Sequence, residues 1–432
     1  MSGAAPPSRR VGRLRTAALA LLVVAGCVNY LDRSAVSVAN PLIRGDLGLS
    51  VGQMGLLLSV FAWSYGAAQL PAGLLVDRVG ARKVLGAGLV LWSLAQVSAA
   101  FVGSLGQFAW ARGALGLGES PMYTGGTRVC AEWYPQRQRT LPVAVFNASA
   151  SLGPAIAPAV LTWLMAAFGW RAMFLVIGLA GVLVAAAWVA LYRDPASAGL
   201  SPDELAATGA GEAAPEPAPP LRDAGRLLRQ RTTWGMVLGF LGVIYMTWLY
   251  ATWLPGYLEA QRHLSVTAAG LLTSIPLGAG FAGALAGGVV SHRLVHRAGM
   301  DPRDACRVPV IWGMAGTAAF TLGAAFAPST WAALALLSGG VFLANLASSC
   351  GWALGAVAVP PEEVGTLEAI QNVGGSVGGG LAPVVTGYVV QASGSFVPAL
   401  CLAAAVAVLS ALAYWGLVGR AAEEARPPPG RA

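Results

Sequence analysis

Twelve apolar segments of about 20 residues recur along the chain, and this recurrence constrains its fold more than any other feature. A segment of that length crosses a lipid bilayer as an α-helix. Of the residues, 56% are hydrophobic and 11% are charged, whereas a soluble protein carries about 25% charged residues. We therefore predict an all-α membrane protein with twelve transmembrane helices, at residues 16–41, 52–75, 82–103, 107–131, 140–167, 171–192, 232–257, 265–291, 307–326, 330–356, 363–391 and 396–418.

Basic residues are concentrated in every second connection between the predicted spans. Arginine and lysine residues precede span 1, follow spans 2, 4, 6 and 8, and end the chain, whereas the opposite connections contain only Arg44, Arg171 and Arg262. Because cytoplasmic loops of membrane proteins are enriched in these residues, we expect both termini in the cytoplasm and the protein in the cytoplasmic (inner) membrane. The same distribution accounts for the net charge of +8 without a nucleic-acid partner.

The predicted spans form two sets of six, separated by a Pro-, Ala-, Gly- and Glu-rich stretch at residues 194–220. Such a composition is typical of a flexible linker. The two halves also share a pattern, GLLVDRVGARK after span 2 and GVVSHRLVHR after span 8. We therefore predict a cytoplasmic tail at residues 1–15, a six-helix bundle at 16–193, a cytoplasmic linker at 194–231, a second six-helix bundle at 232–418 and a cytoplasmic tail at 419–432.

Motifs along almost the whole chain resemble those of the major facilitator superfamily. The stretch after span 2 is similar to the signature loop of that superfamily at Gly73, Asp77, Arg78, Gly80 and Arg82. More narrowly, seven stretches resemble the anion:cation symporter family: NYLDRSAVSVA (29–39), FAWSYGAAQLPAG (61–73), RGALGLGESP (112–121), WYPQRQR (133–139), FGWRAMF (168–174), WLPGYL (253–258) and VGTLEAIQNVGGSVGGGLAPVVTGYVVQASGSF (364–396). The resemblance implies the major facilitator fold, two six-helix pseudo-repeats around a central cavity, and proton-coupled carriage of hexonates, hexuronates, glucarate, tartrate or phthalate.

Four ionisable side chains lie inside predicted spans, Asp32 and Arg33 in span 1 and Arg112 and Glu119 in span 4. A charge at that depth costs roughly 2.5–3.5 kcal/mol on insertion scales and normally faces a water-filled path. Seven residues return an α-helix to within about 20° of the same face, so Arg112 and Glu119 share one stripe. Because span 1 packs beside span 4 in the resembled fold, we expect the four groups to converge on one cavity. The alternative is a set of salt bridges that only holds the helices together.

Chemistry and the resemblance together indicate different roles for these four side chains. An arginine keeps its proton and matches a carboxylate with a planar fork of donors, so we expect Arg33 and Arg112 to bind the substrate anion. The resemblance implies that Asp32 and Glu119 carry the coupling protons. A carboxylate beside an arginine in a poorly hydrated cavity can gain or lose a proton near neutral pH.

The predicted spans of the second half carry almost no ionisable groups, so we expect this half to supply neutral contacts to the substrate. The candidates for neutral contacts are Tyr30 and Tyr65 in the first half and, in the second, Tyr245, Asn345, Ser348, Ser349, Trp352, Gln371 and Asn372. For each of them, packing within the bundle is the alternative.

From the resemblance of this loop to the signature loop, we predict that it takes part in gating. Arg128 lies near the inner end of span 4, and we expect it to pair with Asp77 of the loop. The pair would control how the inner gate closes.

These observations predict a monomeric, proton-coupled symporter that imports a small organic anion by alternating access. The expected substrate is a sugar acid such as a hexonate, hexuronate or glucarate. The expected partners are this anion, protons and the lipid bilayer, with no metal and no cofactor besides the coupling H+. The sequence contains no nucleophile motif, metal-ligand set or nucleotide-binding loop typical of an enzyme.

Other functions stay open on the sequence alone. Ala150 stands where the resembled hexonate carriers place a glutamine, a group suited to a sugar hydroxyl, so a less polar ligand is an alternative. A carrier for aromatic or other carboxylates of the phthalate or tartrate type is a further alternative. Export of an organic acid or a drug would use the same scaffold, and a membrane sensor of the same fold would bind its ligand without transport. An organophosphate exchanger is disfavoured because span 7 contains no arginine.

Overall fold

α-Helices make up nearly all of the chain that the computed structural model describes, residues 8–211, 224–359 and 364–419. No strand occurs in these ranges. The all-α prediction is therefore confirmed. Residues 1–7 and 420–432 of the predicted tails lie outside the described part of the chain.

The described residues up to Leu191 form α1 (Arg9–Val38), α2 (Asn40–Leu47), α3 (Val51–Val79), α4 (Ala81–Ala99), α5 (Leu105–Glu119), α6 (Met122–Trp133) and α7 (Thr140–Leu191). Predicted span 4 is divided between α5 and α6 at Ser120 and Pro121. Predicted spans 5 and 6 both lie in α7, which is interrupted at Gly169. The φ angle of Gly169 is 83°, in the left-handed region that favours glycine, so the helix changes direction there.

The later described residues form α8 (Pro202–Ala206), α9 (Ala224–Leu227), α10 (Arg231–Ala260), α11 (Val266–His296), α12 (Pro302–Ala325), α13 (Thr330–Ala358), α14 (Val364–Ser393) and α15 (Val397–Gly416). The last six coincide with predicted spans 7 to 12. Among the described residues, eight helices are long and apolar enough to cross a membrane, or nine if α2 and α3, bent by 118°, form one span. The count of twelve spans and the cytoplasmic position of both termini stay predictions.

The first part of the predicted linker has regular structure. Short 3-10 turns at residues 195–197 and 209–211 flank α8. Ser201 and Glu204 form a capping box at the start of α8, and Glu204 Oε1 accepts a 2.6 Å hydrogen bond from the Ser8 hydroxyl, just before α1. The Ser8 hydroxyl and the Ser201 N–H hold the pKa of Glu204 below its usual range. The sequence predicts a flexible linker at 194–220, whereas the structure has short helical elements there up to residue 211. Residues 212–223 lie outside the described ranges.

The helices group into two compact units. The first contains the described residues of Met1–Gly48 and Val60–Pro217, and the second those of Leu49–Ser59 and Ala218–Ala432. The first turns of α3 belong to the second unit, where the Gly52 N–H donates a 2.8 Å hydrogen bond to Gln391 Oε1 of α14. The predicted bundles at 16–193 and 232–418 stay a prediction.

Glycine allows the helices of the first unit to approach closely. In this unit α1 packs against the part of α7 before its break, and α4 packs against α5 and against the part after the break. A Cβ atom at Gly153 of α7 would lie 2.5 Å from Tyr30 Cβ, and one at Gly116 of α5 would lie 2.8 Å from the Phe61 carbonyl oxygen of α3. Only residues without a side chain permit these approaches, which bring α1, α3, α5 and α7 together.

The same helix pairings occur in the second unit. There α10 packs against α14, and α12 packs against α13 and α15. In both units, the first of the six predicted spans packs against the fifth, and the third packs against the fourth and the sixth. The agreement supports the internal repeat that the two signature-like stretches suggest.

Substitution of Gly116 by alanine should destabilise the first unit. The added methyl group would overlap the Phe61 carbonyl oxygen and the Tyr65 nitrogen, backbone atoms of α3 that move only with the helix. We expect a loss of about 1–3 kcal/mol in the free energy of unfolding.

Gly113→Ala is the matched control on the same helix, because its Cβ would meet only Val60 Cγ1, at 3.8 Å. Thermal unfolding in detergent should give a lower midpoint for Gly116→Ala and an unchanged or higher one for Gly113→Ala. Equal midpoints would contradict the close approach of α5 and α3.

Candidate functional site

A cluster of buried charges forms where α1, α3 and α5 meet in the first unit. The end of α1 contributes Asp32 and Arg33, and α5 contributes Arg112 and Glu119. Asp32 and Glu119 are fully buried, and Arg112 is 2% exposed. The structure thus brings together the four ionisable groups that helical phase and the resemblance placed in one cavity. Their roles in binding and proton transfer stay predictions.

Arg33 and Glu119 form the closest ion pair of this cluster. Arg33 Nε donates to Glu119 Oε2 at 2.7 Å, a charge-assisted hydrogen bond of short length. The Glu119 side chain is inaccessible, whereas the Arg33 side chain is 14% exposed. Arg33 is therefore the partner that a molecule entering from solvent can reach.

Aromatic rings surround the Arg33 guanidinium. Its Cζ atom lies 5.1 Å from the Tyr30 ring centroid, 5.2 Å from that of Phe61 and 4.6 Å from that of Tyr65. The Phe61 and Tyr65 rings stack on each other with centroids 5.8 Å apart. Ring faces attract a cation without competing for its N–H donors, so they hold the arginine in place and leave its hydrogen-bonding fork available.

Phe61 also contacts the second arginine of the cluster. Its ring centroid lies 4.8 Å from Arg112 Cζ, so one ring contacts both cations. Sequence reasoning selected Tyr30 and Tyr65 and missed Phe61. The spacing of four residues from Tyr65, within the same quoted motif, was the available signal.

Asp32 contrasts with Glu119 in its surroundings. Neither of its carboxylate oxygens has a hydrogen-bond partner among the described residues. Arg112 NH1 lies 3.4 Å from the backbone carbonyl oxygen of Asp32 and donates to it instead of to the carboxylate. A buried polar group without a partner costs about 1–3 kcal/mol, which makes Asp32 the least compensated charge of the cluster.

Asn29 is a further polar group at the site that sequence reasoning did not select. It lies one turn before Arg33 on α1, is fully buried and lies beside the Glu119 carboxylate. Its place in the quoted NYLDR stretch was the signal that could have found it.

The signature loop connects α3 and α4. Gly80 lies at the connection with a φ angle of 93°, which an L-residue with a side chain rarely adopts. Arg78 lies in the last turn of α3, and the Arg82 carbonyl oxygen accepts a 3.0 Å hydrogen bond from Trp188 Nε1 of α7. Gly73 lies inside α3 with open space where a Cβ would point. The loop therefore fixes the start of α4 against the end of α7.

Arg128 on α6 contacts two acidic groups. Its NH1 lies 3.6 Å from Asp77 Oδ1, the expected partner, and its Nε lies 2.8 Å from Glu132 Oε1, one turn along the same helix. Both Arg128 and Asp77 are largely exposed, so this ion pair contributes little stability on its own. Glu132 was missed, although its spacing from Arg128 is typical of a helical ion pair.

Gln371 and Asn372 lie near the start of α14 in the second unit. Gln371 is fully buried and its Nε2 donates a 3.1 Å hydrogen bond to the Gly351 carbonyl oxygen of α13. Asn372 is half-buried. The charge cluster is built from residues of the first unit alone, and the expected contact of these two amides with substrate stays a prediction.

No group of three or more His, Cys, Asp or Glu side chains suited to a metal ion occurs in the described ranges. The cluster instead offers two arginines, two carboxylates and three rings. Such a set can bind a carboxylate anion and exchange protons.

Comparison with known proteins identifies relatives along nearly the whole chain. Residues 22–300 match the family model of the Major Facilitator Superfamily. The chain is 40% identical over 412 residues to a probable L-galactonate transporter of Escherichia coli (strain K12), covering 95% of this chain and 91% of that protein. It is 31% identical over 421 residues to the probable galactarate/D-glucarate transporter GarP of the same organism, covering 93% and 94%.

A solved structure shares the fold. It is the crystal structure of a bacterial homologue of the human lysosomal transporter Spinster, in an inward-facing and unoccupied conformation. The similarity has a TM-score of 0.72 at 19% sequence identity and covers 94% of this chain and 95% of that one.

The two buried carboxylates should respond differently to neutralisation. Asp32→Asn removes a charge that has no hydrogen-bond partner among the described residues, so we expect unchanged or increased stability. Glu119→Gln leaves the Arg33 guanidinium without its carboxylate. Breaking a fully buried pair costs about 3–5 kcal/mol, and the partial exposure of Arg33 lowers our expectation to about 2–3 kcal/mol.

Thermal unfolding of the two purified variants in detergent measures this difference. The midpoint of Glu119→Gln should fall several degrees below that of the wild type, while that of Asp32→Asn should not fall. The reverse order would show that Asp32, and not Glu119, carries the structural ion pair.

Proposed function

The chain belongs to the major facilitator superfamily, and from this premise we propose that it imports a small sugar-acid anion together with protons. The membrane transporter itself follows from the family. The substrate class is supported by relatives whose names specify L-galactonate and galactarate or D-glucarate. The coupling to protons is supported by the chemistry of the charge cluster.

One observation carries the proposal: Arg33, ringed by aromatic side chains, is paired with the inaccessible carboxylate of Glu119. Arg33 is the only one of the four charged residues in the cluster with notable exposure. A carboxylate of the substrate and the carboxylate of Glu119 are chemically equivalent partners for its guanidinium. They would therefore compete for the same N–H donors.

Competition for Arg33 links binding to protonation. When a substrate carboxylate takes the guanidinium, Glu119 loses its countercharge while it stays buried. A buried carboxylate without a cation is more stable in its neutral form, so Glu119 would take up a proton. Asp32, which lacks a hydrogen-bond partner among the described residues, would serve as the second proton carrier.

The remaining side chains of the proposed site would determine which anion is bound. Arg112 would add a second positive charge, which favours an anion over a neutral sugar. The phenol groups of Tyr30 and Tyr65 and the amides of Gln371 and Asn372 would accept or donate hydrogen bonds to its hydroxyls. Release to the other side would follow by alternating access of the two repeats.

A less polar carboxylate is the second candidate. Ala150 lies one turn before Gly153, whose backbone contacts Tyr30, and its methyl group offers no hydrogen bond to a hydroxyl. The three rings around Arg33 would also suit an aromatic acid. Phthalate is the probe that represents this class.

Uptake into proteoliposomes tests the proposal. Vesicles with purified protein are given labelled L-galactonate, D-glucarate or phthalate, with and without a pH gradient that is acidic outside. We expect the gradient to drive accumulation of a sugar acid, and a protonophore to abolish it. Exchange of labelled for unlabelled substrate without a gradient serves as a separate readout, because exchange requires no net movement of protons.

Glu119→Gln should lose gradient-driven accumulation and retain exchange, since glutamine mimics the protonated acid. Glu368→Gln is the matched control, because Glu368 is an acidic residue of α14 in the second unit and outside the cluster. It should accumulate substrate like the wild type. Wild-type accumulation by Glu119→Gln would refute its role in proton coupling, and binding without any uptake would favour a sensor.

A further inference from the structure

An open groove runs between α4 and the end of α7 on the surface of the first unit. Its lining consists of apolar residues, among them Val90, Leu94, Val182, Ala186 and Val189, and about 730 Å³ of space, part of it open to the surroundings, lies along it. Leu94 and Val189 are more than half exposed, at 55% and 56%. In a membrane protein such an apolar, outward surface faces hydrocarbon chains. We call it the α4–α7 groove.

The two helices are antiparallel and are held together beneath this groove. A Cβ at Gly178 would meet the Val97 nitrogen at 2.6 Å, and one at Gly86 would meet Trp188 Cδ1 at 3.3 Å. Trp188 Nε1 donates to the Arg82 carbonyl oxygen at the other end of the contact. The start of α4 therefore lies beside the end of α7, and the groove has one end there.

Basic side chains stand at that end of the groove. Arg193 NH1 donates to the backbone carbonyl oxygens of Val189, a groove residue, at 3.1 Å and of Tyr192 at 2.9 Å. Lys83 is exposed and lies seven residues before Val90, so both are on the same face of α4. Asp194 follows Arg193 in the chain, yet neither Arg193 nor Lys83 has a carboxylate within ion-pair distance among the described residues.

The equivalent position of the second unit is built differently. There α12 packs against α15, and Arg307 near the start of α12 is 5% exposed. Its guanidinium donates to the carbonyl oxygens of Tyr414 and Trp415 and lies 3.6 Å from Asp304 Oδ1. Arg307 is therefore buried beside a carboxylate, whereas Lys83 and Arg193 have no carboxylate within ion-pair distance among the described residues.

The length of the α4–α7 groove matches one leaflet. The eleven helical rises from Lys83 to Leu94 span about 16 Å, and half of a bilayer's hydrocarbon core is about 15 Å. An amphiphile with a hydrocarbon chain and an anionic head would fill the apolar groove and neutralise its basic end. Basic pockets between membrane helices are typical sites for anionic lipid head groups.

We propose that the α4–α7 groove binds an anionic phospholipid, with one acyl chain between α4 and α7 and the phosphate between Lys83 and Arg193. The lipid belongs to the leaflet on the side of these two residues. It would join the start of α4 to the end of α7, the region that the signature loop also fixes through Arg82.

Native mass spectrometry of the purified full chain tests the proposal, with phosphatidylglycerol and phosphatidylcholine of equal chain length as probes. Wild-type protein should retain phosphatidylglycerol roughly tenfold better than phosphatidylcholine. The double variant Lys83→Gln/Arg193→Gln should lose this preference, and Lys83→Arg should keep it. Ala186→Trp, which fills the groove, should reduce retention of both lipids.

Matched controls change similar residues elsewhere. Arg293→Gln removes a charge at the end of α11, and Ala319→Trp enlarges an exposed alanine of α12; both should bind like the wild type. Each variant is first checked for a single elution peak and a wild-type unfolding midpoint, and Ala190→Phe replaces any groove variant that fails. Equal retention of the two lipids by the wild type, undiminished preference in the double variant, or a dimer that Ala186→Trp disrupts would each overturn the proposal.

Discussion

The ion pair between Arg33 and Glu119 is the interaction on which the rest of the first unit depends. Removing two charges from water costs several kcal/mol per ion, and only close geometry with further contacts offsets this cost. The 2.7 Å hydrogen bond and the rings of Tyr30, Phe61 and Tyr65 provide those contacts. They require α1, α3 and α5 to approach closely, which glycine at 116 permits. The close approach of α1, α3 and α5 is thus required both for packing and for the proposed function.

The two carboxylates of the cluster are not equivalent. Glu119 has a cation at hydrogen-bond distance, whereas Asp32 is buried with no hydrogen bond to its carboxylate among the described residues. This difference arises because Arg112 donates to the backbone of Asp32 and not to its side chain. Because Glu119 is paired with a cation and Asp32 is not, the two acids can be protonated in two distinct steps. An anion that binds Arg33 acts on the protonation of Glu119.

Much of this arrangement could be predicted from the sequence because it depends on helical phase and on motifs. The convergence of Asp32, Arg33, Arg112 and Glu119 follows from a seven-residue spacing and from the packing of the resembled fold. The contact of Phe61 with both arginines, and the direction of the Arg112 hydrogen bond, depend on how three helices meet sideways, which periodicity does not encode.

The break in α7 could be predicted, because predicted span 5 ends at residue 167 and predicted span 6 begins at residue 171, on either side of Gly169. The structure in the first part of the linker could not be predicted, because the hydrogen bond between Ser8 and Glu204 joins residues far apart in the chain. The difference between Arg307 and the pair Lys83 and Arg193 shows the same limit. Arg193 and Arg307 both donate to backbone carbonyl oxygens, but only Arg307 of the two has a carboxylate within 4 Å among the described residues, and helical periodicity does not show this.

Proton uptake on ligand binding tests the central claim, competition between the substrate and Glu119 for Arg33, most directly. Purified protein in a weakly buffered detergent solution is mixed with L-galactonate at matched pH, and the pH of the solution is recorded. If the anion displaces Glu119, the freed carboxylate takes up a proton and the solution becomes more alkaline, while Glu119→Gln binds without this change. Binding of L-galactonate with no change in pH, or with the same change in Glu119→Gln, would contradict the account.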